Sequence, residues 1–353
     1  MAAEGSGATA DYDYELPPDL IASRPADRRD ASRLLSVDRE SRQIADRRFQ
    51  DLPGMIDEGD ALVVNDSRVF PARLLGEKPT GARAEVLLVR PLAGFDSEEV
   101  ELWEAIVRPG GKLKPGRRVD IAEGFAIEVV DSTPDGGRVV QVVGDEPPWA
   151  LIERHGHVPL PPYIERPDDA ADRERYQTVY ADPIGSIAAP TAGLHFTRSM
   201  LDSIEARGVR LLSVTLHVGV GTFRPVTVER VEDHDLHNET YRLDESTAAA
   251  LNDVRRGGGR VWAVGTTSCR VLETRCDSSG TFSEGSGTTD LFIHPPHAFR
   301  GVDALLTNFH LPRSSLLMLV SAFAGRDLAL AAYRRAVAHR YRFYSYGDAM
   351  VIS

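Results

Sequence analysis

Three histidines stand where apolar, strand-like runs give way to polar turns: His195 in AAPTAGLHF, His217 in LLSVTLHVGVGTF and His310 in LLTNFHLPRSS. A neutral imidazole is a good general base near pH 7, and a cationic substrate would help to keep it neutral. A single strand-end histidine is more often structural, but three in separate turns invite a shared site. Carboxylates occupy two further strand ends, Asp66 in VVNDSRVFPAR and Asp348 in YRFYSYGDAM. Either could protonate a leaving group, or simply close an Asx turn.

The same turns carry groups suited to holding a ligand. The run RVWAV leads into GTTSCR, so Thr266, Thr267 and Ser268 open a helix whose amides and hydroxyls could cradle an anion, with Arg270 adding a cation; an ordinary helix cap is the alternative. Gly219 and Gly221 would let backbone approach a ligand closely, with Thr222 beside them. Arg68, Thr191, Gly193 and Asn308 complete the polar set. The aromatic run Tyr341, Phe343, Tyr344 and Tyr346 offers faces for base stacking or cation–π contact, or for core packing.

Two acid-free basic patches interrupt an otherwise acidic chain. RPGGKLKPGRR carries Arg108, Lys112, Lys114, Arg117 and Arg118 on a Gly/Pro-rich turn, and YRRAVAHRYR begins at Tyr333. Both could be solvated surface, or phosphate contacts that position an RNA without reading its sequence. The net charge of −12 argues against nonspecific coating of nucleic acid, which depends on phosphate neutralisation. Two cysteines, Cys269 and Cys276, are too few for a disulfide framework and wrongly spaced for zinc, and neither HxxH pair (His234 with His237, His294 with His297) has a third ligand at diagnostic spacing. No metal is expected.

Elements must bring these turns together. The 353 residues suggest two domains at the usual ~100–200 residues each. We expect residues 1–11 to be a disordered tail. Residues 12–71 and 155–353 read as a discontinuous large α/β domain, in which strand and helix signals alternate as in a parallel sheet or (β/α) barrel-like arrangement. There, ligands sit at the carboxyl ends of strands. Residues 72–154 read as an inserted small all-β barrel, from short alternating runs such as EVLLVRPL and FAIEVVD. The Ser/Gly-rich stretch from Cys276 reads as a loop. No signal-like start and no bilayer-length apolar run is present, so a soluble cytoplasmic protein is expected.

With these residues in view, the chain resembles the S-adenosylmethionine:tRNA ribosyltransferase-isomerase family of queuosine biosynthesis. The motifs VVNDSRVFPARL, GGKLKPG, GHVPLPPYIERPD, RYQTVYA, AAPTAGLHFT, TLHVGVGTFRPV, VGTTSCRVLE, LLTNFHLPRSSLLMLVSAFAG and YRFYSYGDAM carry the resemblance from about Tyr14 to Ile352. It implies transfer and isomerisation of the ribosyl group of S-adenosylmethionine, a co-substrate, onto 7-aminomethyl-7-deazaguanine at the tRNA wobble position. Epoxyqueuosine, adenine and methionine are the products, and no prosthetic group is needed. It also implies a barrel-like α/β domain with an inserted small β barrel, and a monomer. FIHPP around His294 departs from the family's usual FIYPG. A noncatalytic tRNA-binding protein is the alternative. An ordinary methyltransferase would want a glycine-rich turn after its first strand, whereas Gly257 to Gly259 precede a strand.

Overall fold

The computed structural model describes residues 7–95, 100–134, 136–219 and 226–353. Its largest element is a nine-stranded mixed sheet, in the order Gly285–Thr289, Glu239–Leu243, Arg210–Leu216, Ala61–Asn65, Val261–Val264, Ala304–Asn308, Ala349–Ile352, Arg33–Val37 and Ile44–Arg48. Four adjacent strands, Arg210–Leu216, Ala61–Asn65, Val261–Val264 and Ala304–Asn308, run parallel. Three of these, from Ala61, Val261 and Ala304, are buried along their whole length, as strands covered on both faces must be. Ala349–Ile352 is antiparallel to Ala304–Asn308 and pairs Ala349 with Asn308, so it begins where the parallel strands end.

Helices cover the sheet. Thr197 caps Arg198–Glu205 by accepting from the Met200 N–H, and Ser314 caps Ser315–Ala324 by accepting from the Leu317 N–H, each at 3.2 Å. Gly325, at φ +85°, turns the chain into Arg326–Ala338. No single helix among the described residues is long and apolar enough to cross a membrane.

The second unit is a closed six-stranded antiparallel barrel of Arg138–Gly144, Leu102–Arg108, Arg83–Pro91, Arg73–Glu77, Arg118–Ala122 and Phe125–Ser132. Burial alternates along Arg83–Pro91 and Leu102–Arg108, as expected of strands with one face on a core. Trp103, Val86 and Phe125 fill the interior, and the same cluster takes in Phe70 and Ile187 from the large unit. Entry and exit lie side by side, with Arg73 and His157 exchanging two backbone hydrogen bonds of 3.2 and 2.8 Å. The α/β fold with an inserted barrel is therefore present, its large sheet mixed rather than all parallel.

Two expectations are corrected. Within the expected tail, Thr9–Tyr12 forms a helical turn and Ala8 bridges to Arg230, because Thr9 and Tyr12 are buried there. The Ser/Gly-rich stretch after Cys276 supplies the edge strand Gly285–Thr289, which pairs along its backbone with Glu239–Leu243 and is tied at Thr289 to Thr274 and Arg270.

Candidate active site

The carboxyl ends of the four parallel strands deliver Asp66, His217, Gly265 and the segment Phe309 to His310 to one rim, where open α/β sheets bind ligands. Into it comes AAPTAGLHF, which follows the short strand Ile184–Ser186 and forms a helical turn over Thr191–His195. A cavity of about 310 Å³ opens between them. Its walls are mainly apolar, including Ala188, Pro190, Phe309 and Leu316, and its polar lining includes Thr191, Thr266, Thr267, Asn308, His310 and Tyr344.

Asn308 is the best-determined side chain there. Its Nδ2 shares two protons among three acceptors, His195 Nε2 at 3.1 Å and the carbonyls of Tyr344 and Asp348 at 3.2 and 3.4 Å. Carbonyl oxygens only accept, so the amide cannot be reversed. Nε2 of His195 must then be the acceptor, and its proton lies on Nδ1, which donates to Ser32 Oγ at 2.7 Å. Burial, reinforced by the charges of Arg342 and Arg29, holds His195 down at about 3. With both ring nitrogens occupied, His195 is not placed to act as the base. It orients Asn308, whose Oδ1 is left buried without a hydrogen-bond partner among the described residues.

Two more cavity-lining groups are in the same state, Thr267 Oγ1 and Tyr344 Oη. Tyr344 adopts φ +71°, a conformation rare for a non-glycine residue, and stacks on Tyr163 at 4.4 Å. Burial raises its phenol far above the usual value, which keeps it a neutral donor. The helix Gly265–Arg275 enters at φ +87° through Gly265 and has no side-chain cap, unlike its Ser314-capped neighbour. Its first-turn amides are therefore available to an anion. Buried polar atoms are normally paired, so three orphans around one cavity mark a place for a polar ligand.

His310 lines the same cavity. The hydroxyl of Tyr14 donates to its carbonyl at 2.5 Å, its N–H donates to Tyr333 Oη at 3.1 Å, and Nε2 meets Thr307 Oγ1 at 2.8 Å. Nδ1 has no partner among the described residues. Burial holds the imidazole down at about 3, so it is neutral at any working pH.

His217 lies on the other side of Val218, in a cleft of about 460 Å³ shared with barrel residues such as Phe95 and Glu104. The Val218 N–H donates to Ser186 Oγ at 2.9 Å, Ser186 meets Ser67 at 2.6 Å, and Ser67 meets His217 Nδ1 at 2.8 Å. Each hydroxyl proton is used once if donation runs Ser186 to Ser67 to Nδ1, which leaves the His217 proton on Nε2. Nitrogen-15 NMR of histidine-labelled protein should therefore show an unprotonated Nδ1 for His217 and loss of that preference in Ser186→Ala. A protonated Nδ1 in the unaltered protein would refute the relay.

Other expected site residues are placed elsewhere. Both oxygens of Asp348 accept backbone amides, from Arg33 at 2.9 Å and Arg342 at 2.8 Å, so it caps turns and is not placed as an acid. Arg270 is buried against Glu239 and the carbonyls of Leu291 and Thr289, so it holds no ligand; Glu239 in turn accepts the Gly219 N–H at 3.0 Å. Ser268 donates to the Val264 carbonyl within its own helix. Gly193 is a packing glycine, since a Cβ there would lie 2.0 Å from Tyr180 Oη. Tyr346 donates to Asp172 at 2.8 Å, and Arg68 lies beside a separate recess near Asp172. Asp66 accepts from Thr215 at 2.7 Å, with its acid raised by burial, but lines neither large cavity. Gly219 borders the His217 cleft, while Gly221 and Thr222 lie outside the described residues. On the barrel, Arg108, Lys112, Lys114 and Arg117 are exposed, Arg108 with Glu85 at 3.9 Å, and Arg118 is paired with Asp120 and Glu128. Sequence reading missed Ser32, Ser67, Ser186 and Thr307, whose only signal was a hydroxyl residue close to a strand end.

A family model described as queuosine biosynthesis protein matches residues 9–352. The S-adenosylmethionine:tRNA ribosyltransferase-isomerase of Symbiobacterium thermophilum is 53% identical over 97% of this chain and 99% of its own length. That of Geobacter sulfurreducens is 51% identical over 97% and 98%. The crystal structure of an S-adenosylmethionine tRNA ribosyltransferase from Thermotoga maritima is similar with a TM-score of 0.56 at 38% identity, covering 97% of this chain and all of that one.

Proposed function

Since the chain belongs to the queuosine biosynthesis protein family, we propose that it transfers and isomerises the ribosyl group of S-adenosylmethionine onto 7-aminomethyl-7-deazaguanine in tRNA, releasing adenine and methionine. The observation that carries the siting is the cavity with three orphaned polar atoms, Thr267 Oγ1, Asn308 Oδ1 and Tyr344 Oη. S-adenosylmethionine occupies it, its carboxylate on the uncapped amides at Thr266 and Thr267. The sulfonium acidifies the protons on the ribose 5′ carbon, and His310 Nδ1 removes one. Adenine departs with the proton that His310 took up, the aminomethyl amine attacks and releases its own proton, and an epoxide closes as methionine leaves. The deazaguanine enters from the neighbouring His217 cleft, and the barrel turn with Arg108, Lys112, Lys114 and Arg117 contacts RNA phosphates. The enzyme works in the cytoplasm as a monomer and needs no prosthetic group.

The deciding experiment mixes the protein with S-adenosylmethionine and tRNA bearing the aminomethyl precursor. Adenine should be released over many turnovers, and not with tRNA lacking the aminomethyl group. Stoichiometric tRNA binding without adenine would instead favour a noncatalytic RNA-binding protein.

A further inference from the structure

Behind the wall formed by His195 and Asn308 lies a small recess of about 20 Å³, lined by Arg29, Arg175 and Arg342 together with Ser32, Ser345 and the Tyr346 backbone region, and by no carboxylate. The three guanidiniums bond only neutral acceptors. Arg29 donates to the carbonyls of Leu194 and Glu174, at 3.2 and 2.8 Å. Arg175 donates to those of Asp27 and Ala26, at 3.2 and 2.6 Å, and Arg342 donates to that of Tyr346. None is within ion-pair distance of an acid among the described residues, and the Nε of Arg175 is buried without a partner. The field of Glu174 partly offsets the charge of Arg29, while Asp348 is occupied by the Arg33 and Arg342 backbone amides. Three cations without an ion pair among the described residues thus converge in a protein of net charge −12. Such a cluster draws an anion, and an acidic protein that handles RNA has to concentrate its positive field locally.

We propose that Arg29, Arg175 and Arg342 form a binding site for a backbone phosphate of the RNA substrate. The recess admits little more than one water, so a phosphate seats across its mouth, and forked guanidiniums match phosphate oxygens. The site rests on the proposed function for its ligand, and it lets a bound phosphate fix the RNA against the reverse of the wall whose other face holds Asn308.

The test measures tRNA affinity by filter binding across about 50–200 mM salt, where each lost phosphate contact lowers the log–log slope by about 0.7. Arg29→Gln, Arg175→Gln and Arg342→Gln should each weaken binding severalfold, and the triple glutamine variant should reduce the slope by about 0.7, the share of the single phosphate. The matching lysine variants should restore the slope, because lysine keeps the charge while losing the forked bonds to the loops. Arg154→Gln, at an exposed pair with Glu146, should change neither. An unchanged slope and affinity in the triple glutamine variant overturns the proposal. So do lysine variants as defective as the glutamine ones, which would mean loop staples, and so does a loss of S-adenosylmethionine affinity with tRNA affinity intact, which would mean a methionine carboxylate. Failure of the proposed function would show separately, as an unaltered protein that releases no adenine.

Discussion

His310→Asn should lower the turnover of adenine release by about 10²–10⁴-fold, the usual range for losing a general base. S-adenosylmethionine affinity should stay within about threefold, because an interaction made mainly in the transition state affects kcat rather than binding. The expectation rests on position. Of the three strand-end histidines, His310 alone both borders the 310 Å³ cavity and keeps a ring nitrogen without a protein partner among the described residues. Its main chain is held at both ends by Tyr14 and Tyr333, so asparagine can occupy the loop without disturbing it.

The pH profile separates His310 from His217. A base already neutral far below pH 6 gives kcat/KM no acid limb of its own between about pH 5 and 7. A limb near pH 6.5 that disappeared in His217→Ala would transfer the role to His217. His195→Ala is expected to act differently again: it removes one of three acceptors around the Asn308 amide while the Tyr344 and Asp348 carbonyls keep its orientation, so it should raise KM for S-adenosylmethionine only modestly and leave the shape of the pH profile unchanged.

The rim was legible in the sequence because its cause is local. Apolar runs such as ALVVN, VWAV and ALLTN can only be strands buried on both faces, and the polar turns after them must then share one edge. The barrel was legible for the same kind of reason, through alternation in RAEVLLVRP and LWEAIVR. What could not be read was the protonation logic of each histidine, since that depends on partners distant in the chain. Ser32 lies 163 residues from His195, and Asn308 lies 113 from it. Arg270 looked like a ligand cation because nothing near it in sequence reveals Glu239. GSGTT looked like a loop because an edge strand held by backbone pairing needs no β-branched pattern. Composition reports what a segment can bury, whereas the tautomer of a ring is set by whichever groups the fold brings to it.

Acidification from pH 7.5 to 5 should cost the folded state about 4 kcal/mol through His195 and His310 together. Both are neutral in the fold, each held down at about 3, while an unfolded histidine titrates near 6.5. Between those values the unfolded chain binds more protons than the native one, so stability is complete above about pH 6.5 and falls as pH drops through the unfolded value. Each residue contributes a slope approaching 1.4 kcal/mol per pH unit, or about 2 kcal/mol by pH 5. The loss at pH 5 depends on the unfolded value alone, because both folded values lie well below 5. Carboxylates such as Asp46 and Asp172, held low by Arg335 and Arg166, protonate further down, and Asp66, raised by burial, works in the opposite sense to the two histidines. Urea unfolding at pH 7.5, 6.5, 5.5 and 5.0 reads the slope, and His310→Asn should halve it. A stability that stays level from pH 7.5 to 5 would mean that the two rings are protonated in the fold. The Nε2 of His195 would then face the Asn308 amide as a donor, and the orientation of Asn308 Oδ1 toward the ligand would fall with it.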